Sequence, residues 1–443
     1  MPLCDEVACE GELAGAAYQL LLPESWNGTL LLWSHGYRQA EPAPPSFAPV
    51  STKPEPAPRY PDFTTEIADR LLADGYALAG SAFASNGWAV ADGVKAAEDL
   101  YAFFSEELAK PQRVYVWGES LGGLITQLIA EKHPDWVSGS ALTCAAVAGA
   151  NLNLDLALDV AYAVKTLFNP GLKLAGYASW DEAVENWTAS ARAIQAAAND
   201  LDNGVPGIVL TAALFDAPEK TRSYDGGSTA TRVRGQAESI LSALGYATFG
   251  RYEFEQRVGG NASDNTQTDY AARLSAAERK AVDGISAGAT DRLLPKLEAG
   301  ARLAADPGVR AKADELGNPT GDIDMPTLTV HTASDPLVLV QNETVLRERV
   351  AEHGKQDLLV QTYTVPPAKY PTVDGATGGA PYGAGHCNFT ADTYHGLITT
   401  LDDWVRSGVY PGNGVLKKNI GPDSGFSTLF EPGTWPAQTE GVS

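Results

Sequence analysis

The residues best suited to chemistry cluster around a serine. Val114-Tyr115-Val116-Trp117 reads as a buried strand, Gly118-Glu119-Ser120-Leu121-Gly122 follows, and Leu124, Ile125, Leu128 and Ile129 then recur at helical spacing. Strand, tight turn and helix form the context that G-x-S-x-G requires. Glycines on both sides permit a sharp turn, which strains the serine and exposes its hydroxyl at the sheet edge. The helix that follows aims its first amides at the same point and favours negative charge there. Ser120 is therefore the candidate nucleophile, and the amide of Leu121 is a candidate donor to a developing oxyanion. Glu119, in the variable position, is expected to support the turn.

A serine hydroxyl attacks slowly unless a base takes its proton, and that base is commonly a histidine oriented by a carboxylate. The chain has six histidines. His35 ends a strand, His133 ends the helix after Ser120, His331 lies inside a strand and His353 connects a helix to a strand. His386 stands in Tyr382-Gly383-Ala384-Gly385-His386-Cys387-Asn388-Phe389, a glycine-bearing loop between the last strand and the last helix. It is the preferred base, with His395 near the start of that helix as competitor. For the carboxylate, residues 327–331 read as a strand whose following loop displays Asp335. The alternative is a turn-forming Asp before Pro336. Asp322 and Asp324 precede this strand and fall at its wrong end.

Converging such residues takes a sheet of parallel strands. Short apolar runs bounded by turn residues recur at residues 17–22, 29–34, 76–80, 114–117 and 138–143, and resume at 327–331 and 358–363. Helical spacing separates them at residues 63–73 and 93–109 and returns at 394–405. This alternation predicts an α/β fold whose mostly parallel sheet is flanked by helices. From Asn151 to Asp324 the texture becomes Ala- and Leu-rich, with helix-start signals at Ser179 to Glu182 and Ser275 to Glu278, so a mainly helical insertion is expected. Eight prolines between Glu41 and Pro61 predict a long surface loop, either a pocket wall or a passive insertion. Residues 409–443 read as an irregular tail.

In order and spacing, His35-Gly36, Gly118-Glu119-Ser120-Leu121-Gly122, Asp335 and Gly385-His386 resemble the α/β-hydrolase superfamily. The similarity covers roughly residues 15–150 and 325–408. It implies an α/β-hydrolase core in two parts, 1–150 and 325–408, with residues 151–324 as a helical cap or lid. It also implies a Ser-His-Asp triad of Ser120, His386 and Asp335, and an oxyanion hole in which the backbone amide of Tyr37 joins that of Leu121. The activity implied is esterase- or lipase-like hydrolysis of a carboxylic ester through an acyl-enzyme, without a cofactor or metal. A peptidase or amidase on the same residues is the alternative, and a silent ligand-binding protein the more distant one. The fold itself names no substrate. Among the cap aromatics, Phe168, Tyr177, Trp180 and Trp187 are expected in the cap core or over an apolar pocket.

Charge narrows the partners. With 32 Lys+Arg against 55 Asp+Glu, the formal charge is −23, and the averaged field repels phosphate backbones and anionic lipid. Nucleic acid is excluded on that ground, and a small-molecule or polymeric ester is the expected partner. No run approaches the roughly 20 apolar residues that span a bilayer. Met1-Pro2-Leu3-Cys4 leads almost at once into strand-like sequence, which suits an exported protein whose signal was replaced by an initiator Met; a cytoplasmic protein is the alternative. Four cysteines are too few for a disulfide scaffold and form no CxxC pair. Cys4 and Cys9 could close a small loop. Cys144 follows the strand beside the Ser120 turn and Cys387 adjoins His386, so a bridge there could hold the histidine loop. Four reduced thiols are equally compatible with the sequence.

Overall fold

The computed structural model describes residues 3–4, 8–59, 65–370, 372–373, 376–377, 381–421 and 425–436. The chain opens with three antiparallel strands, β1 (Leu3–Cys4), β2 (Ala8–Leu13) and β3 (Ala16–Leu21). Then come β4 (Thr29–Ser34), α1 (Glu66–Ala73), β5 (Ala77–Ser81), α2 (Val90–Phe103), β6 (Arg113–Glu119), α3 (Leu121–Lys132) and β7 (Gly139–Thr143). The expected start of the first helix at Phe63 lies outside the described residues. The second helix begins earlier than its periodicity suggested, and its last turn, Phe104–Leu108, is π-helical.

Between β7 and the next sheet strand the chain forms α4 (Ala150–Leu167), α5 (Trp180–Ala197), α6 (Gly204–Ala213), α7 (Thr229–Gly245), α8 (Arg251–Val258), α9 (Ala276–Ile285), α10 (Ala289–Ala299) and α11 (Pro307–Gly317). Both start signals read from sequence cap helices. Ser179 accepts from the Glu182 amide, and Ser275 and Glu278 form a reciprocal capping box. A π-helical turn, Tyr246–Gly250, joins α7 to α8. These helices have a core of their own, in which Val160, Val164, Ile208, Ile240, Leu244 and Leu297 are buried.

The sheet resumes with β8 (Thr327–Thr332), α12 (Asn342–Glu352) and β9 (Leu359–Thr364). A small hairpin of β10 (Thr372–Val373) and β11 (Ala376–Thr377) follows, then α13 (Ala391–Ser407), α14 (Asn413–Ile420) and β12 (Phe426–Ser427). The expectation of a wholly irregular segment after residue 409 is corrected. Leu416 and Ile420 of α14 pack into the core, and β12 pairs antiparallel with β9. Eight residues are too few to display a helical period amid glycines and prolines.

The ten strands of the main sheet run in the order β1-β2-β3-β5-β4-β6-β7-β8-β9-β12, and the six from β5 to β9 are parallel. Continuous apolar strands are what a sheet covered on both faces needs. Leu30, Leu32, Val114 and Val116 enter the layer that includes Leu124, Ile125 and Leu100, whereas Leu31, Trp33, Tyr115 and Trp117 enter the layer of Leu71, Leu397 and Trp404. Because the strands are parallel, the C-terminal ends of β4, β6, β7 and β8 share one edge. The segments leaving that edge carry His35 to Tyr37, Ser120, Cys144 and Asp335. Among the described residues, no helix is long and apolar enough to cross a membrane.

Candidate functional site

At the end of β6 the backbone turns through Ser120, whose φ of 56° lies in the left-handed region. A side chain rarely tolerates this, so the surroundings must hold it. The Ser120 amide donates to Thr143 O at 2.9 Å, and Ser120 O accepts from Gly123 N at 3.1 Å and Ala146 N at 3.1 Å. The two flanking glycines are required by close approach. A Cβ on Gly118 would lie 2.4 Å from Gly122 O, and one on Gly122 would lie 2.0 Å from Ser34 O. The second contact presses the end of β4, and hence the His35-Gly36-Tyr37 segment, against the start of α3. Glu119 turns away from the turn and accepts from Tyr394 Oη at 2.9 Å, tying α13 to it.

Asp335 and His386 meet across two loops. His386 Nδ1 lies 2.7 Å from Asp335 Oδ2. The loops are stitched by Ser334 N to Gly383 O at 3.0 Å, Gly385 N to Ser334 O at 2.9 Å and Thr332 Oγ1 to Gly385 O at 2.8 Å. Asp335 Oδ1 accepts from the amides of Leu337 at 2.9 Å and Val338 at 3.0 Å. Burial alone would raise the Asp335 carboxyl; the adjoining His386, then the charge of His331, hold it below the ordinary carboxylate range. His331 Nε2 is 3.7 Å from Asp335 Oδ2 and its Nδ1 is 3.3 Å from Glu343 Oε1. Burial opposes charge on His331, yet Glu343 and Asp335 hold it above the usual imidazole value.

Of the two possibilities left open for these cysteines, the bridge is the one observed: Cys144 is bonded to Cys387, with Cα atoms 5.5 Å apart. These two sulfurs and His386 lie close together, but the bond between the sulfurs leaves no thiolate for a metal. Cys9 is also disulfide-bonded and faces Cys4 in the β1–β2 ladder; the side chain of Cys4 lies outside the described residues.

Ser120, His386 and Tyr37 line one open cavity of about 600 Å³, walled also by Pro44, Trp187 and Phe249. The proline-rich loop thus contributes a wall. Leu121 lines a second, smaller cavity that also reaches Ser120. Among the described residues, the amides of Tyr37 and Leu121 make no backbone hydrogen bond, and His386 Nε2 lies 3.5 Å from Cys387 Sγ. The competing histidine and the two earlier acids lie elsewhere. His395 pairs with Asp74 at 2.6 Å, and Asp322 and Asp324 pair with Lys355. Of the four aromatics named from sequence, only Trp187 lines the cavity. Tyr177 and Trp180 pack in a separate cluster, and Phe168 packs on the helical core.

Two contributors escaped the sequence reading. Tyr246 sits on the π-helical turn, borders both cavities and packs edge-on to Tyr37 at 5.8 Å. π-turns recur at functional sites, but Tyr-Ala-Thr-Phe-Gly carries no local signal for one. Arg222 donates from Nη2 to His386 O at 3.0 Å, and a loop arginine between Thr221 and Ser223 is equally unmarked in sequence.

Comparison with curated proteins finds no significant sequence match. Among solved structures, an esterase from Aspergillus oryzae is 14% identical, with 91% of this chain and 80% of that one covered and a TM-score of 0.42. Feruloyl esterase B from Aspergillus oryzae is 15% identical, covering 91% and 82% with a TM-score of 0.40. A proline iminopeptidase from Mycobacterium smegmatis is 12% identical, covering 91% and 100% with a TM-score of 0.37. The family assignment rests on sequence: the model of the alpha/beta hydrolase fold matches residues 51–363, well over half of the chain. The chain therefore belongs to the α/β hydrolase fold family.

Proposed function

We propose that the protein is a serine hydrolase that cleaves carboxylic esters through an acyl-enzyme on Ser120. The observation that carries this reading is the 2.7 Å pairing of His386 Nδ1 with the buried Asp335 carboxylate, on a cavity shared with a serine held at positive φ. Asp335 orients the imidazole and fixes the tautomer protonated at Nδ1, which leaves Nε2 to exchange protons with substrate and serine. As substrate enters, the Ser120 hydroxyl swings into reach of Nε2, a contact commonly loose in unliganded enzymes. Ser120 Oγ attacks the carbonyl carbon as its proton passes to His386. The oxyanion takes hydrogen bonds from the amides of Tyr37 and Leu121. Collapse expels the alcohol, which receives the proton from His386, and water then releases the acid by the same steps in reverse roles.

The contact between Gly122 and Ser34 O supports this role for Tyr37, because it seats the segment bearing that amide beside the start of α3. Such donors matter: losing one commonly costs ~100-fold or more in kcat. The test is direct. A fluorophosphonate probe is expected to label Ser120, and Ser120→Ala is expected to abolish labelling and lower hydrolysis of p-nitrophenyl butyrate by about ten-thousand-fold or more. Retained turnover in a correctly folded Ser120→Ala variant refutes the assignment.

A further inference from the structure

Two cavities of unequal size and character meet at Ser120. The wide one, about 600 Å³, includes His386 in its lining. The narrow one, about 50 Å³, lies beneath α4 and the segment after Asp335, with Leu154, Ala157, Val160, Phe215, Val338 and Leu339 in its walls. All six are buried. Its lining also includes Asn153, whose side-chain amide already donates to Gly149 O at 2.9 Å. His386 does not line it. Tyr246 and Leu337 border both cavities and form the boundary between them.

This inference rests on the ester-hydrolase reading above. The tetrahedral adduct on Ser120 has an acyl arm and an alcohol arm, and His386 must protonate the alcohol oxygen. The alcohol therefore lies on the side that His386 lines, and the acyl chain takes the other. We infer that the narrow cavity is the acyl site and the wide cavity the alcohol site, so that the substrate is a short-chain, unbranched acyl ester of a bulky alcohol.

Size sets the chain length. An apolar cavity of about 150 Å³ holds benzene, or about 25 Å³ per carbon. At about 50 Å³, the narrow cavity takes about two carbons beyond the carbonyl. Besides Ser120, the polar side chains of its lining are Asn153, Trp88 and Tyr246, none of them charged, so a charged acyl group would be buried unpaired there, which is costly. Tyr37, Trp187, Tyr246 and Phe249 line the wide side, where ring-bearing alcohols find flat apolar surface.

The experiment measures kcat/KM for p-nitrophenyl acetate, propionate, butyrate, hexanoate and octanoate. The expected profile rises about four-fold per added carbon while the cavity fills, peaks at propionate or butyrate, and falls at least about tenfold by octanoate. Val160→Ala should move the peak to longer chains and Ala157→Val to shorter ones, whereas a general structural defect would lower all esters together. In a second arm, the butyrate of 2-phenylethanol should exceed that of ethanol by about tenfold or more, the two alcohols being similar leaving groups. Octanoate matching or exceeding butyrate, the two variants leaving the peak unmoved, or ethyl butyrate matching its bulky counterpart overturns this inference. Failure to hydrolyse any ester of the series overturns the ester-hydrolase reading beneath it instead.

Discussion

His35 provides a test of how the segment bearing Tyr37 is held. Its ring stacks on Phe83 at 3.9 Å, and its Nδ1 donates to Gly36 O at 2.7 Å. Burial first, and the positive charge of Arg38 second, lower the imidazole from 6.5 to about 4. The folded protein thus holds His35 neutral where the unfolded chain protonates it. Below pH 6.5 the unfolded state binds the extra proton, so stability falls with pH until the folded-state value is passed. From pH 7 to pH 5 this single group costs about 2 kcal/mol, and the full loss below pH 4 approaches about 3 kcal/mol. Urea unfolding of wild type and His35→Gln at pH 7 and pH 5 isolates the effect: the wild type should lose about 2 kcal/mol more than the variant. The comparison cancels His331, whose raised value gives the opposite sign, with stability lost as pH rises. Equal losses in the two proteins, or a His35 ring that titrates near 6.5 by NMR, refute the argument.

Two further perturbations address the frame of the site. Replacing both Cys144 and Cys387 by Ser opens a link across 243 residues, so denaturant unfolding should show about 2 to 5 kcal/mol less stability; kcat should fall as well, because Cys387 anchors the backbone next to His386, and an unchanged kcat would deny that anchoring. Gly122→Ala places a methyl group against Ser34 O, which should cost about 1 to 3 kcal/mol in stability and lower kcat by ~100-fold through displaced oxyanion donors, and wild-type turnover in this variant would show that the contact does not position Tyr37.

What could be read in the sequence was what local chemistry encodes. β4 was read with its observed bounds because six consecutive buried residues sit between a turn and a glycine. Gly118 and Gly122 marked the turn at Ser120 because each closes against backbone within a few residues or one strand away. His386 and Asp335 could be expected near each other because loops leaving parallel strands must emerge on one edge, and they pair at 2.7 Å. Elements governed by other constraints were missed. The π-turn after α7 has no distinctive residue pattern, and α14 owes its helix to burial of Leu416 and Ile420 against the sheet-covering layer. The Cys144–Cys387 pairing could be entertained but not chosen, since residues so far apart in sequence meet only through the sheet order.

The same distinction explains why the sequence supports a proposal about reaction type and none about substrate size. A nucleophilic turn is a property of five adjacent residues, and its strain is written in their types. A cavity is a difference between packed volumes. The narrow one is bounded by Trp88 before α2, by Leu154 to Val160 on α4, by Phe215 after α6, by Tyr246 on the π-turn and by Pro336 to Leu339 after β8. No one segment determines its size, and shifting any wall by one methylene would alter a 50 Å³ space substantially. Chain-length preference should therefore change readily with single substitutions in α4, while the pairing of His386 with Asp335, stitched by backbone hydrogen bonds between adjacent loops, should survive them. Variants such as Val160→Ala are then expected to redirect the enzyme without disabling it, which makes the position of the chain-length peak, rather than its height, the informative measurement.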